Sequence, residues 1–396
     1  MTDGACADFF VISNHVSFPL AGRQNDSKVA RMFEGLARAW SHWNRTLGCG
    51  APVRHLVMMP CDVGAAQCMW EHPLSRRRAR RPKLPQAIDP ASKRRRVGFL
   101  TPNGQPGPYN HFMGGVDVRL PQDEEHECGP YCGIPRGARR AHGQQILRRF
   151  SPWALPTWTA RNASLGRRRP IRLFWVGHSA GIHGSRGALL RHHLNRSGFL
   201  LRDTSPFGRA RDRGSAVGVE DVAGAPPTEA KPQPAYLARA MSQSDFCYSP
   251  PGQLDGDSDR YLPAILYGCV PIFVGAHGAR HETGPFEAVL PWHDVSLHLS
   301  PRQLPQLHTI LSAIPHERLV RMRRAMASVW PRLLWSSAQP TICPRRKSVG
   351  QHWPFLTEHA AQPDAFETLL EVLRRRLDGQ SVRPHRHDRS AVTSRV

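Results

Sequence analysis

Hydrophobic and polar positions follow two periods along the chain, and their order predicts an α/β protein. Short apolar runs rich in β-branched and aromatic residues predict strands at 7–12, 53–60, 95–104, 116–121, 171–176, 198–202, 245–249 and 269–274. Apolar residues at helical spacing predict helices at 28–43, 185–194, 235–243, 259–268, 302–313, 315–335 and 364–377. Strands that alternate with helices and breaker-rich loops indicate mainly parallel sheets.

The alternation begins twice, which predicts two domains in a chain of 396 residues. We place an N-terminal α/β domain at 1–168, with a loop rich in proline and arginine at 71–96. A second domain follows at 169–377 and contains a low-complexity insertion at 203–234. The polar residues 378–396 predict a disordered tail. A cleft between the two domains is the expected place for a site.

The composition supports a folded protein with an unusual charge. Hydrophobic residues make up 40% of the chain, which argues against global disorder. The formal net charge of +23 fits either an anionic partner or compositional drift towards arginine. The densest basic runs, 76–81 and 93–96, contain no aromatic residue for base stacking. They are typical of solvated loops, so no nucleic-acid partner is expected, although a basic polyanion-binding protein remains an alternative.

The nine cysteines include no C-x-x-C pair, which argues against a zinc ribbon or a thioredoxin-like site. Cys247 and Cys269 lie in apolar strand contexts, so they are expected in the core or in a disulfide rather than as metal ligands. The histidines show no recognisable ligand spacing, and no metal site is predicted.

Four N-x-S/T sequons favour exposure to a secretory lumen, where such asparagines accept glycans. They begin at Asn25, Asn44, Asn162 and Asn195. Against this, the first residues lack a basic segment followed by an apolar stretch, and no run of 18 apolar residues occurs. The expectation is therefore either a cytosolic protein or a lumenal one whose membrane anchor is absent from this chain.

The segment 242–274 carries the most informative chemistry. A strand is followed by a loop in which Gly252 lets the backbone approach a ligand closely. Asp257, Ser258 or Asp259 can cap the next helix, and Arg260 is predicted in its first turn. A helix start with a guanidinium suits a diphosphate. Three aspartates in the same turn add negative charge, so an ordinary capped turn with a surface arginine is the alternative.

This segment resembles the signature of the exostosin-type glycosyltransferases (family 47). The matching residues are Ser244-Asp245-Phe246-Cys247, Pro251-Gly252, Gly256-Asp257-Ser258, Arg260 and Gly268-Cys269-Val270-Pro271-Ile272. Weaker pieces follow the family's order at 7–13, 43–48, 55–64, 102–121 and 286–335. The resemblance therefore covers roughly residues 7–375.

The resemblance implies two facing Rossmann-like domains (the GT-B arrangement) and an inverting transfer without a permanently bound metal or cofactor. It implies a nucleotide-sugar donor, a UDP-sugar by preference, in the second domain and a glycan or glycoprotein acceptor in the first. The donor-binding residues are then expected to be Gly252, Asp257, Ser258 and Arg260. Asp62, at a strand end, is a candidate base, and a turn-capping aspartate is the alternative. The family also implies the lumenal face of the Golgi membrane.

Two positions depart from the family pattern. Pro263 stands where the family usually has an acidic residue that is expected to hold the donor ribose. Val63 replaces the histidine of the family's Asp-His-Gly turn. A proline is tolerated in the first turn of a helix, but it cannot accept a ribose hydroxyl. A catalytically degenerate relative is therefore an alternative to an active transferase.

A second motif favours a different class of enzyme. Gly177-His178-Ser179-Ala180-Gly181 follows a predicted strand and matches G-x-S-x-G, the nucleophile elbow of serine hydrolases. Asp294 and His359 lie downstream and offer the acid and the base. The alternative is a strand-to-helix turn of small residues, with Ser179 near the cleft. The transferase order of elements around the motif favours that second interpretation.

Overall fold

The computed structural model describes ten segments of the chain, which form two compact units. These segments are 10–12, 55–58, 97–101, 118–121, 140–179, 184–204, 234–251, 260–275, 284–334 and 363–378. The first unit comprises Met1–Leu120, Pro285–Leu290 and Leu369–Val396. The second unit comprises Pro121–Gly284 and Pro291–Thr368.

The first unit contains a parallel sheet whose four strands are neighbours in chain order. These strands are β1 (Phe10–Ile12), β2 (His55–Met58), β3 (Val97–Thr101) and β4 (Val118–Arg119). All four lie within strands predicted from the sequence. The predicted helix 28–43 and the loop 71–96 lie outside the described residues. Residues 285–290 join this unit through the Phe286 N–H, which donates to the Arg119 carbonyl at 3.0 Å.

The second unit contains a parallel sheet of five strands in the order β6-β5-β7-β8-β9. They are β5 (Ile171–Gly177), β6 (Phe199–Asp203), β7 (Ser244–Ser249), β8 (Val270–Val274) and β9 (Leu297–Leu299). Every residue of β7 and β8 is buried, as expected for central parallel strands covered on both faces. The two parallel sheets confirm the predicted α/β class.

Nine α-helices lie in the described part of the chain. They are α1 (Arg140–Phe150), α2 (Trp158–Gly166), α3 (Ser185–His193), α4 (Pro234–Ser242), α5 (Tyr261–Leu266), α6 (Trp292–Val295), α7 (Leu307–Ser312), α8 (His316–Ala325) and α9 (Ala365–Leu377). Short 3₁₀ segments occur at Pro152–Ala154, Pro301–Gln306, Met326–Ser328 and Pro331–Leu333. No helix among these residues is long and apolar enough to cross a membrane.

The helices depart from the sequence prediction at several points. α1, α2 and α6 were not predicted, nor was β9. The predicted helix 302–313 is divided into a 3₁₀ segment and α7, and Pro305 lies inside the 3₁₀ part. The predicted helix 315–335 ends as α8 at Ala325 and continues as two 3₁₀ turns, the second opened by Pro331. Prolines disfavour the continuous hydrogen bonding of an α-helix at these points.

The stretch of chain that follows β4 and precedes β5 packs with the second unit. The Ser151 hydroxyl donates to the Leu266 carbonyl at 2.7 Å, and the Trp153 indole N–H donates to the Ile265 carbonyl at 2.9 Å. These bonds attach the segment between α1 and α2 to the end of α5. The units therefore divide at Leu120–Pro121, whereas the sequence pattern places the boundary at 168–169.

A disulfide links Cys247 of β7 to Cys269, the residue before β8. The sequence allowed either buried thiols or a disulfide for this pair, and the structure shows the disulfide. Both residues are also buried. The bond joins two neighbouring strands near the middle of the sheet.

A charge cluster lies at the amino end of the same sheet. Asp245 Oδ2 accepts from Arg172 Nη1 at 2.7 Å, and its Oδ1 accepts from Arg323 Nη2. The Arg169 guanidinium donates to the Ser244 carbonyl at 2.9 Å. Burial lowers the pKa of Arg169 and of Arg323, because the low-dielectric interior disfavours their positive charge. The carboxylate of Asp245 opposes this effect in both groups.

Candidate functional site

The strand order of the second unit marks a candidate site. From β5 the chain forms β6 on one side, and it then crosses to form β7 on the other side of β5. In open parallel sheets, ligands bind beyond the carboxyl ends of the strands at such a reversal of order. Here those ends are Gly177 of β5 and Ser249 of β7.

Arg260 lies at this carboxyl edge. Its Nη1 donates to the Val176 carbonyl of β5 at 2.6 Å, and its guanidinium carbon lies 5.8 Å from the centroid of the buried Trp175 ring. The sequence singled out Arg260 as a donor-binding cation. The structure brings its charge to the end of β5, beside the reversal of strand order.

Gly177 makes this position of Arg260 possible. A Cβ atom on Gly177 would lie 2.3 Å from Arg260 Nη2, far inside van der Waals contact. The sequence identified Gly177 as the first glycine of an elbow motif. The structure shows that the missing side chain leaves room for the guanidinium.

The start of α5 differs from the prediction. The helix spans the six residues Tyr261–Leu266, instead of 259–268, and Arg260 is its N-cap residue. Arg260 therefore precedes the first turn, and the N-cap is none of the predicted residues Asp257, Ser258 and Asp259. Pro263 is the third helical residue, where a missing N–H is tolerated. A helix this short has a small macrodipole, so the guanidinium is the stronger anion-binding feature.

A second arginine, Arg186, lies in the first turn of α3. Its Nε donates to the Pro251 carbonyl at 3.0 Å, and its Nη1 donates to the His178 carbonyl at 3.0 Å. It therefore links the segments that leave β5 and β7. The sequence analysis missed it. The sequence feature that could have identified it is an arginine at the start of a predicted helix, where the macrodipole disfavours a cation.

Tyr248 of β7 also contacts the start of α3. Its hydroxyl donates to the Ser185 carbonyl at 3.1 Å. Burial raises the pKa of Tyr248 well above its usual value, because the interior disfavours the phenolate. The phenol therefore stays protonated and keeps this hydrogen bond throughout the physiological pH range.

Ser179 follows the end of β5 and takes part in no catalytic triad among the described residues. It is 8% exposed, and its backbone N–H donates to Asp203 Oδ1 at 3.0 Å, at the carboxyl end of β6. Within the described segments, no histidine forms a hydrogen bond with Ser179. Asp294 instead lies 3.3 Å from His293 in the exposed helix turn α6, and His359 lies outside the described residues. These contacts favour the strand-to-helix turn.

Several other predicted site residues fall outside the described segments. They are Asp62, Val63, Gly252, Asp257, Ser258, Asn25 and Asn44. Of the two remaining sequons, Asn162 lies inside α2 and Asn195 lies in the turn after α3. The described residues hold no group of three or more histidine, cysteine or acidic side chains that could bind a metal ion.

Comparison with known proteins relates this site to a family. Residues 142–314 match the exostosin GT47 domain, which confirms the family resemblance of the segment 244–274. The weaker resemblance of the pieces before residue 142 stays a prediction. A probable glucuronosyltransferase of Oryza sativa subsp. japonica is 28% identical over 144 residues, which cover 36% of this chain and 28% of that protein. A probable beta-1,4-xylosyltransferase of Arabidopsis thaliana is 30% identical over 138 residues, which cover 35% of this chain and 27% of that protein. The matched stretch thus spans little more than a quarter of these relatives.

Proposed function

We propose that this chain, which carries an exostosin GT47 domain at residues 142–314, is a glycosyltransferase that moves a sugar from a nucleotide-sugar donor to a glycan or glycoprotein acceptor. The donor is a UDP-sugar, and the transfer inverts the anomeric carbon. The observation that carries the proposal is the position of Arg260 at the carboxyl end of β5, beside the reversal of strand order and inside the matched domain.

The chemistry of inverting transfer assigns a role to Arg260. The acceptor hydroxyl needs a base, and the leaving diphosphate needs charge stabilisation. The bond from Arg260 Nη1 to the Val176 carbonyl holds the guanidinium at the end of β5, where its positive charge can stabilise the leaving diphosphate. Asp62 is proposed as the base, and Gly252, Asp257 and Ser258 as further donor contacts. The proposal includes no permanently bound metal or cofactor and no nucleic-acid partner.

Pro263 favours a second candidate, a relative that binds the donor without transferring the sugar. This buried proline stands where the family usually has an acidic residue, and it has no oxygen in its side chain to hold the ribose. A non-catalytic relative would keep the arginine and its diphosphate but would lack turnover. Donor binding and transfer must therefore be measured separately.

The proposal is tested with a panel of nucleotide sugars. The names of the relatives put UDP-xylose and UDP-glucuronic acid first, with GDP-mannose as the unmatched nucleotide. Saturation-transfer NMR on the folded chain is expected to show contact with at least one UDP-sugar. Contact without sugar release in the presence of xylan-type or other glycan acceptors supports the non-catalytic relative. No contact with any of them rejects the donor proposal, and salt-sensitive binding of heparin would then favour a polyanion-binding protein.

Gly177→Ala is expected to weaken UDP-sugar binding about tenfold with little loss of stability, since one charged hydrogen bond is worth about 1.5–3 kcal/mol. The new methyl group occupies the position of Arg260 Nη2, and the end of a flexible side chain can move away. Calorimetric titration with UDP and thermal unfolding measure the two effects. Gly166→Ala is the control, because a Cβ there meets no atom within 4 Å. Equal affinities in both variants would contradict the role given to Gly177.

We further propose that the protein works at the lumenal face of the Golgi membrane. The buried disulfide Cys247–Cys269 supports an oxidising compartment, where such bonds persist. The exposed sequon asparagine Asn195 supports the same compartment.

Among the described sequons, glycosylation is expected at Asn195 and not at Asn162. Asn195 is exposed in a turn, whereas Asn162 lies within α2 with its side-chain oxygen buried. A bulky glycan at a half-buried helix position would oppose packing. The protein is expressed through a secretory pathway, and its gel mobility is compared before and after glycosidase treatment. Asn195→Gln should remove the mobility shift of one glycan, and Asn162→Gln should remove none. Loss of such a shift in Asn162→Gln would contradict the assignment.

A further inference from the structure

We propose that Arg186 is a positioning residue that sets the spacing between the chain segments leaving β5 and β7, and thereby shapes the donor site. The inference rests on the proposed function. Its basis is a pair of hydrogen bonds from one guanidinium to two carbonyls on different segments, His178 after β5 and Pro251 after β7.

The two bonds connect residues that are distant in the sequence. Arg186 and Pro251 lie 65 positions apart, and the low-complexity region 203–234 lies between them. β5 and β7 pair directly, with Leu173 opposite Phe246. The sheet fixes the strands themselves, but the ladder pairs end before the carboxyl termini. Beyond the last paired residues, the guanidinium of Arg186 links the segment that follows β5 to the segment that follows β7.

Arg186 and Arg260 form links in opposite directions. Arg260 follows β7 in the chain and donates to Val176 at the end of β5. Arg186 follows β5 in the chain and donates to Pro251 after β7. Each segment at the reversal of strand order is thus held by an arginine from the other βα unit. The two bonds couple the same pair of segments. Loss of Arg186 should therefore change the position of Arg260 relative to a bound diphosphate.

The position of Arg186 is electrostatically unfavourable within its own helix, so its two hydrogen bonds to carbonyls must offset that cost. A cation in the first turn of a helix opposes the positive end of the macrodipole. It also adds positive charge at the edge that Arg260 already occupies, and like charges disfavour each other. A bidentate guanidinium also fixes two carbonyls with a geometry that lysine cannot reproduce.

The test compares Arg186→Gln and Arg186→Lys with Arg196→Gln. Arg196 is exposed in the turn after the same helix, so its substitution removes the same charge without touching the two segments. Hydrogen exchange without donor is measured on peptides that contain His178 and on peptides that contain Pro251. Both are expected to exchange faster in Arg186→Gln, and neither in Arg196→Gln.

Donor binding gives the second readout. Arg186→Gln is expected to raise the Kd for UDP about tenfold, and Arg186→Lys about threefold, because a charged hydrogen bond is worth about 1.5–3 kcal/mol and lysine retains the charge. Unchanged exchange at both peptides overturns the positioning role. Full rescue by lysine overturns it as well, since charge alone would then suffice. If the wild type binds no nucleotide sugar, the proposed function fails and the donor role of Arg186 fails with it, whereas the exchange data alone decide whether the two segments are linked.

Discussion

Arg260→Ala is expected to weaken UDP-sugar binding by about a hundredfold while leaving the second unit folded, because a hydrogen bond between charged groups is worth about 1.5–3 kcal/mol. The guanidinium supplies the positive charge at the end of β5, where it donates to the Val176 carbonyl. Truncation removes both the cation and its anchor to that strand. Calorimetric titration with UDP measures the affinity, and thermal unfolding shows whether the fold is retained.

Two further variants sharpen this prediction. Arg302→Ala removes an exposed arginine inside the matched domain and should bind UDP like the wild type. Arg260→Lys should fall between wild type and alanine, because lysine keeps the positive charge but lacks the planar donor geometry of the guanidinium. An Arg260→Ala protein with wild-type affinity would show that the diphosphate binds elsewhere. Gly177→Ala displaces the same guanidinium without removing it. A loss of UDP affinity in both variants would therefore show that Gly177 acts through Arg260.

The sequence predicts every strand of the two sheets except β9, because buried parallel strands are short apolar runs that hydropathy reveals directly. It does not predict where the two units divide. The bonds that attach residues 151–153 to the second unit end on the backbone carbonyls of Ile265 and Leu266. A carbonyl is present in every residue, so such partners leave no mark in the sequence. The match to the family also begins at residue 142, inside α1.

The same reason separates the two arginines of the site. Arg260 could be found, because it lies within a motif of neighbouring residues that together indicate a turn and a cation. Arg186 binds backbone carbonyls of residues 8 and 65 positions away, and the side chains of these partners take no part.

Ser179 shows the opposite error, in which a sequence motif is present without the site that it predicts. Its G-x-S-x-G pattern is local and complete, yet its backbone N–H binds Asp203 in the described structure, and no histidine of that part of the chain reaches it.

Asp245→Asn is expected to destabilise the protein by about 3–5 kcal/mol, the usual cost of removing one partner from a buried ion pair. The carboxylate accepts from Arg172 and Arg323, and the Arg323 side chain is fully buried. Asparagine keeps the size but turns an NH₂ group towards one of the guanidinium groups. Burial already lowers the pKa of Arg323, and Asp245 counteracts that effect, so the uncompensated arginine would be strongly disfavoured.

Urea and thermal unfolding measure this effect, and Asp294→Asn provides its control. Asp294 is 56% exposed beside His293, so its loss should change stability by no more than about 0.5 kcal/mol. If Asp245→Asn does not fold, Asp245→Asn with Arg323→Met separates the charge from the packing. The double variant should recover part of the loss, because a buried apolar side chain replaces the uncompensated cation. Asp245→Asn with the stability of Asp294→Asn would mean that the carboxylate does not neutralise the arginines, and that the amino end of this sheet is held by packing and backbone hydrogen bonds alone.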